Sequence, residues 1–433
     1  MSIAFGSRLQ IPKTISRMVQ AGMLGEHNPC SLMIDMTDFE RRLNAVHTAF
    51  PEPYFKHCFA AKANPLRYIL QTVTSLGGGV ECATAGEVHQ ALHSGCPNNK
   101  IVFDSPLKLS EDFELCFKNG IHINFDNLQE VAKGQRIFEE LNKQGMIKPA
   151  DIGIRINPQL GAGNILMTST ATSTSKFGVP IQQYKQQILD TYKNWPQLTG
   201  LHIHVGSQGC PIDLFVKGAR FIVDLAEEIN QYVGREQVHT LDLGGGMPVI
   251  YTEDDAPLPF NEYSTKLRAS VPELFTGKYT ILTEFGRSMI SKVGWFVSRC
   301  EYTKEAGDRH VIIGHAGGNC FTREVYMPDT WYHHISVYHP DGTPKFDNVV
   351  PTDVAGPLCF SGDLMCKNRP LPKIEQGDWY VIHDAGAYTI SMYSRYNSCP
   401  APSVHAYFAG DDNKSIVEIK KRETAQDVCE FWG

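Results

Sequence analysis

The chain shows a regular alternation of two hydrophobic patterns between about residues 35 and 290. Short apolar runs rich in β-branched residues predict strands, and longer stretches with an apolar residue every three or four positions predict amphipathic helices. The eight predicted strands are residues 54–61, 79–82, 100–103, 121–125, 152–157, 200–205, 238–243 and 279–284. The predicted helices between them are residues 65–76, 85–93, 109–118, 128–143, 181–193, 214–232 and 261–274.

Eight strand–helix units over roughly 250 residues are typical of an α/β fold whose parallel strands close into a (β/α)8 TIM barrel. An open, doubly wound sheet shows the same alternation of strands and helices. The count of eight favours the barrel over the open sheet.

The pattern changes after residue 290, where no long amphipathic helix recurs. Short strands are predicted at residues 294–299, 310–313, 378–383 and 415–419, separated by turns rich in Pro and Gly. They indicate a second, mostly antiparallel β domain, to which we also assign the N-terminal segment. The predicted domains are therefore a barrel at residues 35–290 and a β domain built from both chain ends, residues 1–34 plus 291–433.

Composition narrows the functional classes. A net charge of −7 argues against binding to nucleic acid or to an anionic membrane surface. The chain opens without a signal-peptide pattern and contains no run of about 18 apolar residues, so we expect a cytoplasmic protein. The twelve cysteines are scattered without a CxxC pair, which indicates reduced thiols and predicts no metal site.

Lys62 follows the first predicted strand, at the end of a TIM barrel that holds active sites. A lysine amine can form an imine with a carbonyl group when desolvation or a neighbouring cation lowers its pKa. The flanking Ala60, Ala61 and Ala63 would let a flat ring approach. By itself, however, such a lysine is more often a solvated residue at the end of a strand.

Two further motifs follow predicted strands at the same end of the barrel. Gly244, Gly245 and Gly246 follow the seventh strand, where barrels often bind phosphate, and a tight turn is an equally good interpretation. His202 and His204 close the sixth strand two positions apart, followed by Ser207. They fit a metal pair or a ring stacked on a flat cofactor, and each alone is as often a buried core histidine.

Four further residues complete the candidates. Glu284 ends the eighth strand, where a carboxylate could keep a pyridine nitrogen protonated, and Arg287 could bind a phosphate or a carboxylate. Cys359 could donate a proton and Tyr388 a hydrogen bond. Taken singly, each of these residues has an ordinary structural explanation as a surface ion pair or a core residue.

In combination these residues resemble a known family, the alanine-racemase-fold (fold type III) decarboxylases that depend on pyridoxal 5'-phosphate (PLP). The resemblance is to diaminopimelate decarboxylases and, more distantly, to ornithine decarboxylases, and it covers residues 30 to 410 approximately. The matching stretches are residues 60–64, 80–87, 154–158, 175–178, 200–208, 242–246, 284–287, 359–363 and 386–388.

The resemblance implies an amino-acid carboxy-lyase with PLP as cofactor and gives each residue a role. Lys62 would carry PLP as a Schiff base, with Glu81 as a nearby acid and His204 stacked on the pyridine ring. Glu284 would pair with the pyridine nitrogen. The residues implied to surround the phosphate are Ser207, Gly244, Gly245, Gly246, Arg287 and Tyr388.

The resemblance also implies a homodimer with shared active sites. Cys359 would reach across the interface to protonate the carbanion that remains after CO2 leaves. The residues implied to bind the amino-acid substrate are Arg287, Arg323, Tyr326, Phe360 and Asp363. No nucleic-acid or membrane partner is expected.

One departure from the family pattern bears on the substrate. Diaminopimelate decarboxylases carry a glutamate directly after the active-site cysteine, and this chain has Phe360. Because a cationic group left without its buried carboxylate partner costs several kcal/mol, we hypothesise that the substrate is not meso-diaminopimelate and has a less cationic or more apolar distal end.

Three alternatives remain from the sequence. A racemase on the same fold would use an arginine at the pyridine nitrogen, where this chain has Glu284. A noncatalytic, partner-binding homologue would have no need of Lys62 and Cys359. A barrel metallohydrolase could use His202 and His204 but lacks an evident further ligand.

Overall fold

The computed structural model describes residues 4–252, 258–411 and 413–433, apart from the side chains of residues 4–8 and 166. These residues form two compact units. One comprises residues 43–249 and 258–288, and the other comprises the described parts of residues 1–42, 250–257 and 289–433. Both chain ends therefore belong to the second unit, while the predicted boundaries at residues 35 and 290 stay predictions.

Eight parallel strands of the first unit form a closed barrel. Each strand pairs with its neighbour in the chain, and the eighth strand pairs with the first, Ile281 opposite Phe55. The strands are Phe55–Ala60, Gly79–Cys82, Ile101–Phe103, His122–Phe125, Ile152–Asn157, Leu198–His202, Thr240–Gly245 and Thr280–Glu284. The predicted TIM barrel is confirmed, and the near-continuous burial of these strands is typical of a parallel sheet.

The bounds differ from the prediction mainly at the sixth strand. That strand ends at His202, and residues 203–205 form the loop that follows it. His204 therefore lies in a loop at the barrel rim, whereas the sequence predicted a strand up to residue 205.

The helices of the first unit lie between its strands. They are the 43–49 part of Met36–Ala49, then Arg67–Ser75, Ala85–His93, Ser110–Asn119, Leu128–Lys143, Ile181–Asn194, Ile212–Val233 and Phe260–Ser270. The last predicted helix, 261–274, is divided. It ends at Ser270 and a 3-10 turn follows at Pro272–Phe275, because a proline cannot continue the helical hydrogen bonds.

The second unit contains a mostly antiparallel sheet, as predicted. Its strands are Cys30–Asp35, Gly294–Ala306, Arg309–Gly314, Ile335–Tyr338, Pro344–Lys345, Val349–Ala355, Leu364–Pro372, Trp379–Ile382, Ser403–Tyr407 and Val417–Lys420. The N-terminal strand Cys30–Asp35 lies between two C-terminal strands, antiparallel to Gly294–Ala306 and parallel to Ser403–Tyr407.

The core of the second unit packs around this N-terminal strand. Met33, Trp295 and Tyr407 belong to one buried cluster, in which the indole N–H of Trp295 donates to the Tyr407 hydroxyl at 2.9 Å.

The other helices of the chain are Ala4–Gln20, Arg287–Ile290, Thr322–Tyr326 and Ala425–Trp432. Within the described residues, no helix has both the length and the apolar composition needed to span a membrane.

Candidate active site

Lys62 lies in a short 3-10 turn, Ala61–Ala63, directly after the first barrel strand. Its Nζ donates to both carboxylate oxygens of Glu81, at 2.8 and 2.7 Å, and 36% of the lysine side chain is exposed. Glu81 lies on the second strand and is fully buried. Burial raises the pKa of Glu81 well above its usual value, although the charge of Lys62 opposes the shift. The predicted nucleophile and the predicted acid are therefore in direct contact.

Glu284 is a buried carboxylate at the end of the eighth strand. The closest histidine nitrogens are His202 Nε2 at 3.6 Å and His204 Nδ1 at 3.8 Å, beyond hydrogen-bond distance. Neither carboxylate oxygen has a hydrogen-bond partner among the described residues. Burial alone would raise the pKa of Glu284, but the two histidines outweigh burial and hold it well below its usual value. The site thus contains a buried anion that lacks a donor, which is costly unless a ligand supplies one.

The triglycine segment is held by close backbone packing. Gly244 and Gly246 have φ values of 67° and 94°, and a Cβ on Gly245 would meet the Glu284 carbonyl oxygen at 1.8 Å. A Cβ on Gly246 would meet the Gly206 carbonyl oxygen at 1.7 Å, so this segment touches the loop that carries Ser207. Only glycine fits these positions.

Two of the three glycine N–H groups are used inside the protein. Gly244 N donates to Asp242 Oδ1 at 2.9 Å, and Gly245 N donates to His204 Nδ1 at 3.3 Å. The anion-binding capacity predicted for this segment therefore falls mainly to Gly246 and the residues after it. The second bond also makes His204 Nδ1 an acceptor, so the proton of a neutral ring is on Nε2.

Barrel closure brings two further carboxylates to this site, which sequence reasoning missed. Asp104 Oδ2 lies 3.7 Å from His202 Nδ1 and 3.6 Å from Arg155 Nη1. Asp242 accepts from Asn124 Nδ2 at 3.2 Å, and burial and the charge of Glu284 raise its pKa well above its usual value. Asp104 directly follows the third strand, so the rule that active-site residues follow barrel strands could have identified it.

The remaining predicted residue of the first unit is Arg287, which is 4% exposed at the start of the short helix Arg287–Ile290. It follows Glu284 by three positions, so both lie near the end of the eighth strand. The first unit thus gathers Lys62, Glu81, His204, Ser207, Gly244–Gly246, Glu284 and Arg287 at the carboxyl ends of its strands.

Two pairs among the predicted substrate and phosphate residues meet in the second unit. The Arg323 guanidinium lies 4.3 Å from the centre of the Tyr388 ring. The Tyr326 and Phe360 rings are stacked with centroids 5.5 Å apart and an interplanar angle of 12°. Tyr396 contacts Phe360 edge-on at 6.3 Å. Phe360 is therefore part of an aromatic cluster.

Cys359 lies in a loop that is anchored on both sides. The thiol-bearing residue is exposed, and its N–H donates to Asn397 Oδ1 at 2.8 Å. The buried Asp363 carboxylate accepts from the N–H groups of Gly318 and Leu358, both at 2.6 Å. Asp363 thus holds the loop in shape, and the substrate contact predicted for it stays a prediction.

Comparisons with known proteins agree on one family. Residues 36–291 match the model of the pyridoxal-dependent decarboxylases, pyridoxal binding domain. Diaminopimelate decarboxylase of Helicobacter pylori strain J99 is 32% identical over 375 residues, which cover 86% of this chain and 87% of that protein. The enzyme of the same name from Methanothermobacter thermautotrophicus is 27% identical over 406 residues, covering 92% and 90%.

Solved structures give the same result. The crystal structure of H. pylori diaminopimelate decarboxylase complexed with L-lysine has a TM-score of 0.83 and 28% identity, covering 95% of this chain and 99% of that one. The fold and these likenesses define a fold type III PLP enzyme. The chain belongs to the pyridoxal-dependent decarboxylase family. It catalyses PLP-dependent decarboxylation of an amino acid.

The residues at the barrel rim fit the cofactor. Lys62 offers a partly exposed amine, and Glu284 offers a buried carboxylate that needs the donor a protonated ring nitrogen would provide. The ligand atoms of His202, His204 and Glu284 lie within 4.8 Å of one another, which would also suit a metal ion. The family assignment favours the PLP interpretation over the metallohydrolase, and the relatives favour neither a racemase nor a noncatalytic homologue.

Proposed function

We propose that PLP is held by Lys62, Glu81, His204 and Glu284 in the first unit. When bound, PLP supplies an electron sink for the pair left when the α-carboxylate departs as CO2. The main support for this assignment is the buried Glu284 carboxylate. Its oxygens lack a hydrogen-bond donor among the described residues, and its pKa stays well below the usual value. An ionised Glu284 would keep a proton on the pyridine nitrogen.

The protein's own groups divide the remaining work. Glu81 bonds both its oxygens to Lys62 Nζ, so it orients this amine and can hold the proton that the amine gives up. His204 would cover one face of the ring. We assign the phosphate to Ser207, Gly244–Gly246 and Arg287, with Tyr388 added from the family resemblance.

We propose that Cys359 delivers a proton to the α-carbon from the partner subunit of a homodimer. In support, Cys359 is exposed and its loop is anchored by Asn397 and Asp363, so the thiol has a defined position on the surface. From the family resemblance, the residues assigned to the amino-acid substrate are Arg287, Arg323, Tyr326, Phe360 and Asp363.

The substrate that we propose is an α-amino acid other than meso-diaminopimelate. The family resemblance implies a glutamate where this chain has Phe360, and here the Phe360 ring is stacked on Tyr326. An aromatic pair offers an ammonium group only a cation–π contact, which is weaker than the charged hydrogen bonds of a buried carboxylate. A less cationic or more apolar distal end fits this surface better.

The cofactor assignment is tested with Lys62→Ala and Lys62→Arg. Both variants should lose the visible absorbance of bound PLP and lower decarboxylation by about 10⁴-fold or more, because only the lysine amine can bond to the cofactor. Lys143→Ala, at an exposed position, is the control. A normal absorbance band in Lys62→Arg would contradict the assignment.

The shared site is tested by mixing two inactive proteins, Lys62→Ala and Cys359→Ala. If each site takes its lysine from one subunit and its thiol from the other, reassembled mixed dimers regain about a quarter of wild-type activity. A mixture that stays inactive, although mixed dimers form, would refute the shared site.

The substrate is tested by CO2 release from a panel of amino acids that includes meso-diaminopimelate, lysine, ornithine, leucine and phenylalanine. We expect turnover of a member with a less cationic distal end. Phe360→Glu should move the preference towards the dibasic members. Efficient turnover of meso-diaminopimelate alone would refute the substrate proposal and leave the cofactor assignment untouched.

We also propose a cytoplasmic location. All twelve cysteines lie among the described residues and none forms a disulfide, which fits a reducing compartment. Fractionation of the source cells checks this assignment.

A further inference from the structure

A cavity opens at the amino-terminal end of the barrel, opposite the rim that carries Lys62. Its volume is about 790 Å³, within the range of about 300–1,000 Å³ typical of small-molecule pockets. Most of its lining residues belong to the barrel strands and the loops before them, His47, Phe117 and Phe138 lie on helices, and all of them belong to the first unit. Cys58, Val102 and Leu282 form a buried apolar cluster that closes its inner end.

The cavity is lined by more cations than anions. Lys56, Lys100 and Lys148 contribute ammonium groups, and neither Lys56 nor Lys148 pairs with a carboxylate among the described residues. Of the described residues that line the cavity, Asp151 alone carries a carboxylate. Its oxygens accept from Thr199 and Thr240, both at 3.0 Å, so it is already satisfied. The cavity therefore has an excess of positive charge that favours an anion.

The walls of the cavity are apolar and aromatic. Phe117 and Phe138 meet edge to face at 5.3 Å, and Phe55, Ile101 and Ile152 add further apolar surface. A flat or aliphatic body would lie against these walls while an attached anionic group reached the lysines.

A chain of buried hydrogen bonds leads from this cavity to the cofactor end of the barrel. His122, which lines the cavity, contacts Asn124 Oδ1 through Nε2 at 2.9 Å. Asn124 Nδ2 donates to Asp242 Oδ2 at 3.2 Å, and Asp242 Oδ1 accepts from Gly244 N at 2.9 Å. His122, Asn124 and Asp242 are buried, and Gly244 packs closely against backbone atoms. A movement of His122 can therefore be transmitted to the triglycine segment through buried contacts.

We propose that this cavity is a second ligand site, for a small molecule that carries an anionic group on an apolar body. Occupancy is transmitted to the cofactor site through His122, Asn124 and Asp242. The site lies outside the catalytic residues and does not depend on which amino acid the enzyme decarboxylates.

The experiment uses the holoenzyme, in which the cofactor fills its own phosphate site. Binding of phenyl phosphate and benzoate, with benzyl alcohol as the neutral analogue, is measured by calorimetric titration. Both anions should bind, and the alcohol should bind about tenfold more weakly or worse, because it lacks the charge that the lysines attract.

Variants that reverse the charge of two cavity lysines test the ligand site, and a variant at another exposed lysine is the matched control. Lys56→Glu with Lys148→Glu should weaken phenyl phosphate by about tenfold or more, whereas Lys143→Glu, at an exposed residue that does not line the cavity, should have a smaller effect. The double variant should keep its basal decarboxylation. Failure of both anions to bind, or equal binding by the double variant and the wild type, would overturn the ligand site.

Transmission from the cavity to the cofactor site is measured by the absorbance of the bound cofactor. Saturating phenyl phosphate should change this spectrum in the wild type and leave it unchanged in Asn124→Leu and Asn124→Asp, both of which should still bind the probe. Two variants are used because either could lose its fold, which thermal melting detects. A spectrum that does not respond in the wild type, or that responds equally in a folded variant, would overturn the connection.

Discussion

The two ends of the barrel differ in how they carry charge. At the carboxyl ends of the strands, Glu81, Asp104 and Glu284 bring buried carboxylate atoms within 4.8 Å of one another. At the amino ends, Lys56 and Lys148 are exposed to solvent. Buried like charges are expensive and persist where a ligand or a cation compensates them, whereas exposed charges cost little. The two ends of the same barrel therefore differ in chemistry. The carboxyl end holds buried carboxylates that need a compensating partner, and the amino end holds exposed lysines that attract anions.

Two triglycine segments make the same comparison at the level of the backbone. Gly244–Gly246 follows a strand and is enclosed on each side by backbone atoms. Gly77–Gly79 leads into a strand at the other end, where a Cβ on Gly77 would meet nothing within 4 Å but one on Gly79 would meet the Lys100 carbonyl oxygen at 2.3 Å. The two segments therefore differ at their first glycine, because Gly77 is open whereas a Cβ on Gly244 would meet the Ile203 carbonyl oxygen at 2.4 Å.

The largest expected effect separates these two segments. Gly245→Ala should destabilise the protein by about 4 kcal/mol or more and abolish PLP binding, because the Glu284 carbonyl would have to move. Gly77→Ala should cost only about 1–2 kcal/mol, from its φ of +88°. Urea unfolding and cofactor absorbance measure both. Equal losses in the two variants would remove the contrast between the ends.

The next effect concerns the charge of Glu284. Glu284→Gln keeps the shape of the side chain but removes the anion that would pair with the ring nitrogen, so kcat should fall by about 10²–10³-fold. The KM should change little, because Glu284 is not among the residues proposed to bind the substrate. Asp242→Asn is the comparison: burial and the charge of Glu284 raise the pKa of Asp242 and so disfavour its charged form, and removal of this charge should cost less. A larger loss in Asp242→Asn would reverse the proposed roles.

The smallest effect is a pH dependence near the amino end of the barrel. Burial, and the nearby His47, lower the pKa of His57 from 6.5 to about 3. Between pH 6.5 and about pH 3, His57 is protonated in the unfolded chain and neutral in the folded chain. The stability contributed by neutral His57 is therefore complete above pH 6.5 and is lost as the pH falls towards 3, by about 1.4 kcal/mol per pH unit.

His57→Phe tests this dependence. The variant keeps a ring against Phe50, which lies 5.7 Å from His57, and loses the titrating group and its contact with Thr283. Its free energy of unfolding, measured in urea from pH 7 to pH 4, should fall less steeply than that of the wild type. Parallel curves would show that His57 does not take up a proton on unfolding.

Local patterns predicted the barrel and much of the rim. The strands and helices follow from periodicity, and residues 85–93 and 128–143 match their predicted bounds because their apolar periodicity continues up to clear breaks. The motifs at Lys62, Gly244–Gly246 and Glu284 could be assigned to one rim because parallel strands share a direction. Their order along the chain was sufficient for that inference.

What could not be predicted depends on closure and packing. Asp104 meets His202 only because the third and sixth strands, which are not neighbours in the chain, come close across the barrel. Asp242 pairs with His202 on the neighbouring strand, and local patterns do not fix that register. His204 lies in a loop because the sixth strand stops at His202. The stacking of Phe360 on Tyr326 joins segments 34 residues apart and leaves no periodic signal. Such contacts arise from three-dimensional geometry that local patterns do not contain.

The central position of Cys30–Asp35 has a consequence for synthesis of the chain. The two strands that pair with it, Gly294–Ala306 and Ser403–Tyr407, are synthesised much later. The strand is therefore made early, and its hydrogen-bonded pairing is completed late. At a translation rate of about 5–20 residues per second it waits tens of seconds with both edges unpaired. During this time the apolar Leu32, Met33 and Ile34 are available to other chains. A nascent chain is therefore most vulnerable to aggregation at its beginning, and it is protected only when its end has emerged.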